Sequence, residues 1–462
     1  MKIKFGTDGW RAIIAKEYTV NNVARVSIAC GEWLNKNFDF PSVVIGYDTR
    51  FGGILFAQTV TKVLLSMGVK VYFSEKFVST PMVSLGVLTH KADLGIVITA
   101  SHNPHSYNGF KLKGNFGGPL LPEDISNVEN LIPDTNHLNL DKVNLEDAIS
   151  VDLEQEYIDK ARENFDLDLI EQSGLNLMYD SMYGSGQNAV PALLPNTTLL
   201  HCVHNPGFGG VAPEPIHRNL IELSNYIKQN KNIDCALATD GDADRIGLYN
   251  AKGEFVDSHH LILLLIHYLA KYKKMKGKVV TAFSCSVKVA KLCHHYGLEH
   301  QTVKVGFKYV AGVMLEEDCL LGGEESGGVA IKGHIPERDG IWMGLVIWEY
   351  MAKSGKSLDD LINEVYDIVG PFAFERIDLH LDNTKKNQII ENCKNGIYKS
   401  FDDLEIQRVD NLDGFKFFFD ENSWVMIRPS GTEPVLRTYA ESISQDKCFE
   451  ILEKVHNTLL KN

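Results

Sequence analysis

The sequence predicts an α/β protein of several domains. Three observations carry that expectation. Short apolar strands alternate with longer helical patterns, 462 residues are too many for one core, and the chain changes character after Gly370-Pro371. Length alone suggests roughly two to four domains.

Taken in order, Pro41 to Tyr47 reads as a strand, a helix follows around Phe56 to Ser66, and Val69 to Phe73 is the next strand. Asp93 to Thr99 is a third. A similar unit begins at Leu175 to Asp180 and ends in an acidic loop at Asp240. Another runs from a helix at Leu261 through the strand Gly277 to Thr281. Ser423 to Arg428 and Pro434 to Ala440 read as paired strands, and a helix over Asp446 to Leu460 closes the chain. These changes divide it into 1–150, 151–252, 253–368 and 369–462. No sequence repeat relates the units.

Hydrophobic residues make up 44% and charged residues 23%, the ordinary balance of a soluble globular protein. A net charge of -14 argues against non-specific nucleic-acid binding, while local Arg and Lys clusters leave anionic substrates open. The longest apolar run, Leu261 to Ile266, falls far short of the ~20 residues of a membrane span. Met1 to Asp8 contains no signal-peptide stretch. The eight scattered cysteines form no C-x-x-C pair and read as buried thiols in a reducing compartment. The expectation is a cytoplasmic protein, monomer or homodimer, that engages neither membrane nor nucleic acid.

Asp240-Gly241-Asp242-Ala243-Asp244 carries three carboxylates in five residues, directly after the apolar run Cys235 to Ala238. Like charges this close resist ionising together, and a hard cation with oxygen ligands removes the conflict. An EF-hand would need Gly and Glu where Arg245 and Ala251 stand. A solvated acidic turn is the plain alternative. Three carboxylates do not fill an octahedral shell, so the loop reads as a Mg²⁺ site short of a ligand.

Thr99-Ala100-Ser101-His102-Asn103-Pro104 follows a strand, where α/β proteins place their chemistry. G-x-S-x-G is absent around Ser101, so it is not a nucleophile elbow. A serine beside a metal can carry a phosphoryl group, and a phosphoserine oxygen would complete the metal shell. A simple turn serine is the alternative. Tyr107-Asn108-Gly109-Phe110-Lys111 brings a lysine towards the same loop. Arg428-Pro429-Ser430-Gly431-Thr432-Glu433-Pro434 offers a guanidinium, two hydroxyls and freed backbone amides, which suit a phosphate held without reacting. Gly322-Gly323-Glu324-Glu325-Ser326-Gly327-Gly328 fits recognition of sugar hydroxyls. Gly207-x-Gly209-x-x-Ala212 imitates a dinucleotide fingerprint, but Pro213 and Pro215 stand where its helix would begin.

Together these loops closely resemble the α-D-phosphohexomutase family over the whole chain and in the family's order. Phe5 to Arg11 is similar to its N-terminal motif, Thr99 to Pro104 to its phosphoserine loop, and Asp240 to Arg245 to its metal loop. Glu324 to Gly328 resembles its sugar loop, and Arg428 to Pro434 its phosphate loop. The resemblance implies three related α/β domains with mixed sheets and a smaller α+β C-terminal domain around a central cleft. It implies phosphorylation of Ser101, with Asp240, Asp242, Asp244 and a phosphoserine oxygen holding Mg²⁺. Arg11, His102, Lys111 and Arg245 would serve the reacting phosphate. Glu324 and Ser326 would bind sugar hydroxyls, Lys304 would also bind the substrate, and Arg428, Ser430, Gly431 and Thr432 would grip its non-reacting phosphate.

One departure stands out. Several family members carry a histidine after the glycine of the sugar loop, where this chain has Gly328, and some carry one at the place of Phe307. His334 is the candidate substitute for proton transfer, with a structural histidine the alternative. The implied reaction interconverts hexose 1- and 6-phosphates through a bisphosphate such as glucose 1,6-bisphosphate. The Glu-Glu-Ser sugar loop is similar to glucose-preferring members, so the expectation is a phosphoglucomutase. A dual glucose/mannose enzyme and a phosphoglucosamine mutase are the alternatives.

Overall fold

The computed structural model describes residues 2–6, 8–136, 138–429 and 435–461. The expected helices and strands form with ends shifted by a few residues. Three mixed sheets and one antiparallel sheet make the frame.

The first sheet runs in the order Trp10–Ile13, Tyr107–Gly114, Leu94–Ile98, Ser42–Tyr47, Lys70–Phe73, Ile149–Ser150. Leu94–Ile98, Ser42–Tyr47 and Lys70–Phe73 are mutually parallel and rich in Val and Ile, because helices cover both faces. Tyr107–Gly114 returns antiparallel to Leu94–Ile98.

The second sheet repeats the plan. Thr198–Leu200, Leu177–Asp180 and Cys235–Thr239 are parallel, and Ile246–Asn250 returns antiparallel. In the third, His300–Val303, Lys278–Ala282 and Cys319–Gly323 are parallel, and Val329–Ile331 returns. Each unit therefore leaves its parallel strands at one equivalent point, through a loop into an antiparallel strand. Those three loops hold Ser101, the three aspartates, and Glu324 with Ser326.

The helix Gly340–Ser354 packs across the second sheet, with Gly344 close against Leu237. Apolar side chains of the first three units form one continuous core through this helix and Leu153–Asn164. The C-terminal sheet is wholly antiparallel, in the order Ala373–His380, Val435–Ser442, Trp424–Pro429, Phe415–Phe418, Arg408–Asp410. It has its own core and meets the third unit through Phe283, Phe418, Trp424, Met426 and Tyr439.

Candidate active site

The aspartate loop Asp240 to Asp244 is held by backbone bonds from three sides. Thr80 N donates to Asp242 O at 3.0 Å, Ser185 N to Gly241 O at 3.0 Å, and Gly340 N to Ala243 O at 2.9 Å. Gly241 is needed where the serine loop arrives, since a Cβ there would lie 2.5 Å from Ser101 O. Ser101 is fully buried and left-handed, with φ 51°. Its hydroxyl donates to Asp240 Oδ2 at 2.6 Å, and His102 Nδ1 lies 3.3 Å from Ser101 Oγ. The serine proton thus points at a carboxylate of the second unit.

Asp240, Asp242 and Asp244 are fully buried, with one ligand oxygen of each inside a 4.8 Å cluster. Their oxygens divide into two sets. Lys111 Nζ donates to Asp242 Oδ2 and Asp244 Oδ2, both at 2.7 Å, and Thr80 Oγ1 adds a 2.5 Å bond to Asp242 Oδ2. Asp242 Oδ1 and Asp244 Oδ1 are buried with no hydrogen-bond partner among the described residues. Asp240 Oδ1 accepts the backbone N–H groups of Asp244 and Arg245 at 2.9 and 3.1 Å, leaving Oδ2 to Ser101. Two orphaned anionic oxygens beside Asp240 Oδ2 are a cost the fold carries without a cation, and they suit a hard divalent ion.

Electrostatics follow from this packing. Burial, then the charges of Asp242 and Asp244, pushes the Asp240 carboxyl well up. Burial also works against Asp242, but Lys111 and Thr80 outweigh it and hold that carboxyl below the usual range. Lys111 keeps its proton more tightly than a free lysine, because Asp242, Asp244 and Asp8 overcome its burial. Burial, then Arg245, Arg11, Lys111 and Arg50, depresses His102 well below an ordinary histidine.

The remaining expected residues distribute as follows. Arg11 Nη1 donates to Asn103 Oδ1 at 2.7 Å, and its Nη2 lies 3.8 Å from Asp8. Arg245 flanks the metal loop, with Nε 4.0 Å from Asp244 Oδ1 and Nη1 3.8 Å from Glu214. Glu324 is buried and accepts Gly306 N–H at 2.9 Å; burial lifts its carboxyl to about 7 against the opposing charge of Arg338. Ser326 is half-buried beside it, and Lys304 is exposed on the strand-to-helix loop. Arg428 Nε donates to Asp413 Oδ2 at 3.2 Å, and the same carboxylate oxygen accepts Val305 N–H at 2.9 Å. Ser430, Gly431 and Thr432 lie outside the described residues. His334 stands apart: its Nε2 is 2.9 Å from Asp339, which caps a helix, and its ring stacks on Trp342 at 3.6 Å. It is a structural histidine.

Arg338 belongs to none of the sequence motifs, yet it joins three units. Its Nη2 reaches Asp8 Oδ2 at 2.5 Å and Asp244 Oδ2 at 2.7 Å, and Nη1 lies 3.9 Å from Glu324. Asp8 also pairs with Lys111 at 2.8 Å. An arginine in a polar loop before a helix gives no sequence signal of its own.

Four family models match in order, described as phosphoglucomutase/phosphomannomutase α/β/α domains I, II and III and the C-terminal domain. They cover residues 2–138, 155–253, 257–369 and 392–457. A Pyrococcus furiosus protein assigned as a phosphoglucosamine mutase is 30% identical across 97% of this chain and 96% of its own. The chain belongs to the α-D-phosphohexomutase family. It is a phosphohexomutase, an isomerase of the phosphotransferring kind. A Thermococcus kodakarensis phosphoglucomutase/phosphomannomutase is 30% identical over 97% of this chain and 96% of that one. A solved structure from Thermus thermophilus, assigned as a phosphomannomutase, aligns over 100% of both chains with a TM-score of 0.89 and 32% identity.

Within this phosphohexomutase, the missing sugar-loop histidine has a steric cause. A Cβ at Gly328 would lie 2.3 Å from Arg338 Cδ and 2.8 Å from its Cγ. The Arg338 side chain fills the space that any side chain at residue 328 would need.

Proposed function

We propose that this phosphohexomutase interconverts hexose 1-phosphates and 6-phosphates through phosphorylated Ser101. The observation that carries the reading is the Ser101 Oγ to Asp240 Oδ2 bond of 2.6 Å beside two buried, unpartnered carboxylate oxygens. Asp240, Asp242 and Asp244 would hold Mg²⁺ together with a phosphoserine oxygen. When bound, the ion supplies positive charge to the phosphoryl oxygens.

In the forward half-reaction the phosphoserine P–O bond breaks and a P–O bond forms to the free sugar hydroxyl, giving a hexose bisphosphate. The serine oxygen gains a proton as the sugar hydroxyl loses one. His102 Nδ1, 3.3 Å from that oxygen, is placed to exchange it. Arg11 and Arg245 face the transferred phosphoryl group as fixed cations. Lys111 organises the carboxylates through its bonds to Asp242 and Asp244. Glu324, Ser326 and Lys304 would receive the sugar phosphate, and Arg428 with Ser430, Gly431 and Thr432 its distal phosphate. The bisphosphate then turns over and returns its other phosphoryl group to Ser101. The free cysteines, most of them buried, support a reducing, cytoplasmic setting.

For the sugar, the relatives favour a broader reading than glucose alone. The similar Thermococcus protein is named for both glucose and mannose, which supports dual specificity. A second reading, phosphoglucosamine mutase, is supported by the Pyrococcus relative and by a Methanosphaera stadtmanae protein of the same assignment at 31% identity. Turnover of glucose, mannose and glucosamine 1-phosphates with Mg²⁺ and a trace of bisphosphate tests both. Comparable rates on glucose and mannose support the first reading, and a dominant rate on glucosamine 1-phosphate supports the second. Full activity in Ser101→Ala, or stoichiometric release of free phosphate, would sink the mutase mechanism.

A further inference from the structure

Arg50 lies in the turn after the strand Ser42–Tyr47, and none of the motifs includes it. Its side chain is fully buried, and all five guanidinium N–H groups are used. Nη2 donates to Ser101 O at 2.5 Å and Asn103 O at 2.6 Å; Nη1 donates to Pro104 O at 2.9 Å and Tyr107 O at 3.2 Å. Nε donates to Asp48 Oδ2 at 3.1 Å. One planar cation thus gathers four carbonyls of the serine loop into an arc.

Asp48 completes the grip from below. Its Oδ2 also accepts the Thr99 hydroxyl at 2.5 Å, and Thr99 Oγ1 accepts Ser101 N–H at 2.9 Å. Both backbone faces of Ser101 are therefore tied to the Asp48–Arg50 turn: its N–H through Thr99, its carbonyl directly. These bonds hold a non-glycine residue in the left-handed region, with φ 51°. The same turn reaches the second unit. Thr49 Oγ1 donates to Tyr183 O at 2.9 Å, and the Arg50 guanidinium lies over the Phe208 ring at 4.8 Å. Gly184, one residue on, packs against the backbone of Asp240 and Gly241.

We propose that Arg50 is a positioning residue for phosphoryl transfer, fixing Ser101 against Asp240 by clamping the serine-loop carbonyls from a turn docked on the second unit. It touches no reacting atom and acts through the Ser101 backbone. A bare charge is not enough for this role. A lysine ammonium carries three donors on a flexible stem and cannot span four carbonyls with a planar fork. Truncation would leave the buried Ser101 carbonyl without the Arg50 donor and free the half-exposed carbonyls beside it, releasing the loop.

The inference rests on Ser101 being the phosphorylated residue, and the test separates the two claims. Full-length wild type, Arg50→Lys, Arg50→Ala and Ser101→Ala are treated with glucose 1,6-bisphosphate and Mg²⁺. Intact mass and peptide mapping follow phosphorylation, and steady-state kinetics use whichever of glucose, mannose or glucosamine 1-phosphate wild type turns over fastest. The expected result is a kcat loss of about 100-fold in both Arg50 variants with KM little changed, the scale of a misplaced reacting group. Free guanidinium, at a concentration that leaves wild type unaffected, should restore part of the Arg50→Ala turnover. Arg50 variants that keep kcat within about threefold overturn the inference while the phosphoserine reading stands. So do variants that lose only thermal stability, with normal turnover per folded molecule and no response to guanidinium. A phosphoryl group that maps away from Ser101 in wild type removes the phosphoserine reading itself.

Discussion

Gly328→Ala is a one-carbon change with a large predicted consequence. The new Cβ would meet Arg338 Cδ at 2.3 Å and Cγ at 2.8 Å, well inside any tolerated contact. The backbone at residue 328 is not among the positive-φ positions, so strain there is steric rather than conformational. To clear it, Cδ must retreat by about 1 Å to the ~3.5 Å of ordinary carbon contact. The guanidinium rides on Cδ, so the 2.5 and 2.7 Å contacts to Asp8 and Asp244 break with it. Lys111 still neutralises both carboxylates, which limits the damage. The expected cost is that of overpacking, about 1–3 kcal/mol. Urea unfolding of Gly328→Ala, Arg338→Ala and the double variant measures it. Arg338→Ala removes Cγ and Cδ and leaves only Cβ, 3.6 Å from the new methyl. In that background Gly328→Ala should cost less than about 0.5 kcal/mol, the limit for independent sites. Penalties that simply add would show that residues 328 and 338 do not compete for one space, and the steric account of the missing histidine would fail.

Three further outcomes follow from the same geometry. Mg²⁺ should bind more tightly to Ser101-phosphorylated than to dephosphorylated protein by isothermal titration; equal affinities would remove the serine from the metal shell. Lys111→Met leaves two buried carboxylates without their ammonium and should cost about 3–5 kcal/mol in EDTA, the range for a broken buried pair; Mg²⁺ should stabilise this variant more than it stabilises wild type. Glu324 rises from 4.5 to about 7 in the fold through burial, so the folded state holds its proton longer than the unfolded chain. Stability contributed at this site is therefore intact below about pH 4.5 and falls as pH rises towards 7. Glu324→Gln should gain on wild type across that window by roughly 3 kcal/mol, and a pH-independent difference in urea midpoints would refute the assignment.

Much of the fold was legible because burial wrote it plainly. The runs Leu94–Ile98 and Cys235–Thr239 are buried throughout and almost wholly apolar since helices cover both faces, and such runs announce strands without alternation. Tyr107–Gly114 was harder. Lys111 and Lys113 sit in that strand, both buried, because their ammonium groups are paired inside the protein with Asp242 and Glu337. A buried paired lysine looks like a surface lysine in sequence. The aspartate loop declared itself by charge density, whereas the joint roles of Arg338, Asp8 and Arg50 did not, since the contacts that link the units, Arg338 to Asp8 and Asp244 and Arg50 to the serine-loop carbonyls, span tens to hundreds of residues. The structural kinship of the first three units leaves no sequence repeat and was legible only through the family resemblance. It resides in the repeated path from parallel strand to loop to antiparallel return, which many sequences satisfy equally well.

That repeated path explains why the chemistry needs all three units at once. Each contributes one loop at the same topological point, so the loops meet at one locus, and each brings charge the others must balance. Asp242 and Asp244 give their Oδ2 atoms to Lys111 of the first unit, and Asp244 Oδ2 also meets Arg338 of the third. Their Oδ1 atoms remain unpartnered among the described residues. A lysine that took both oxygens of each carboxylate would satisfy the metal-free protein and compete with the ion. Holding only one oxygen of each fixes the carboxylate planes and leaves the others ready for a cation, so the protein carries an unpaid polar cost until the ion binds. If Mg²⁺ binds here as proposed, part of its affinity would be stored in the packing of Lys111 and Arg338, neither of which would be a ligand.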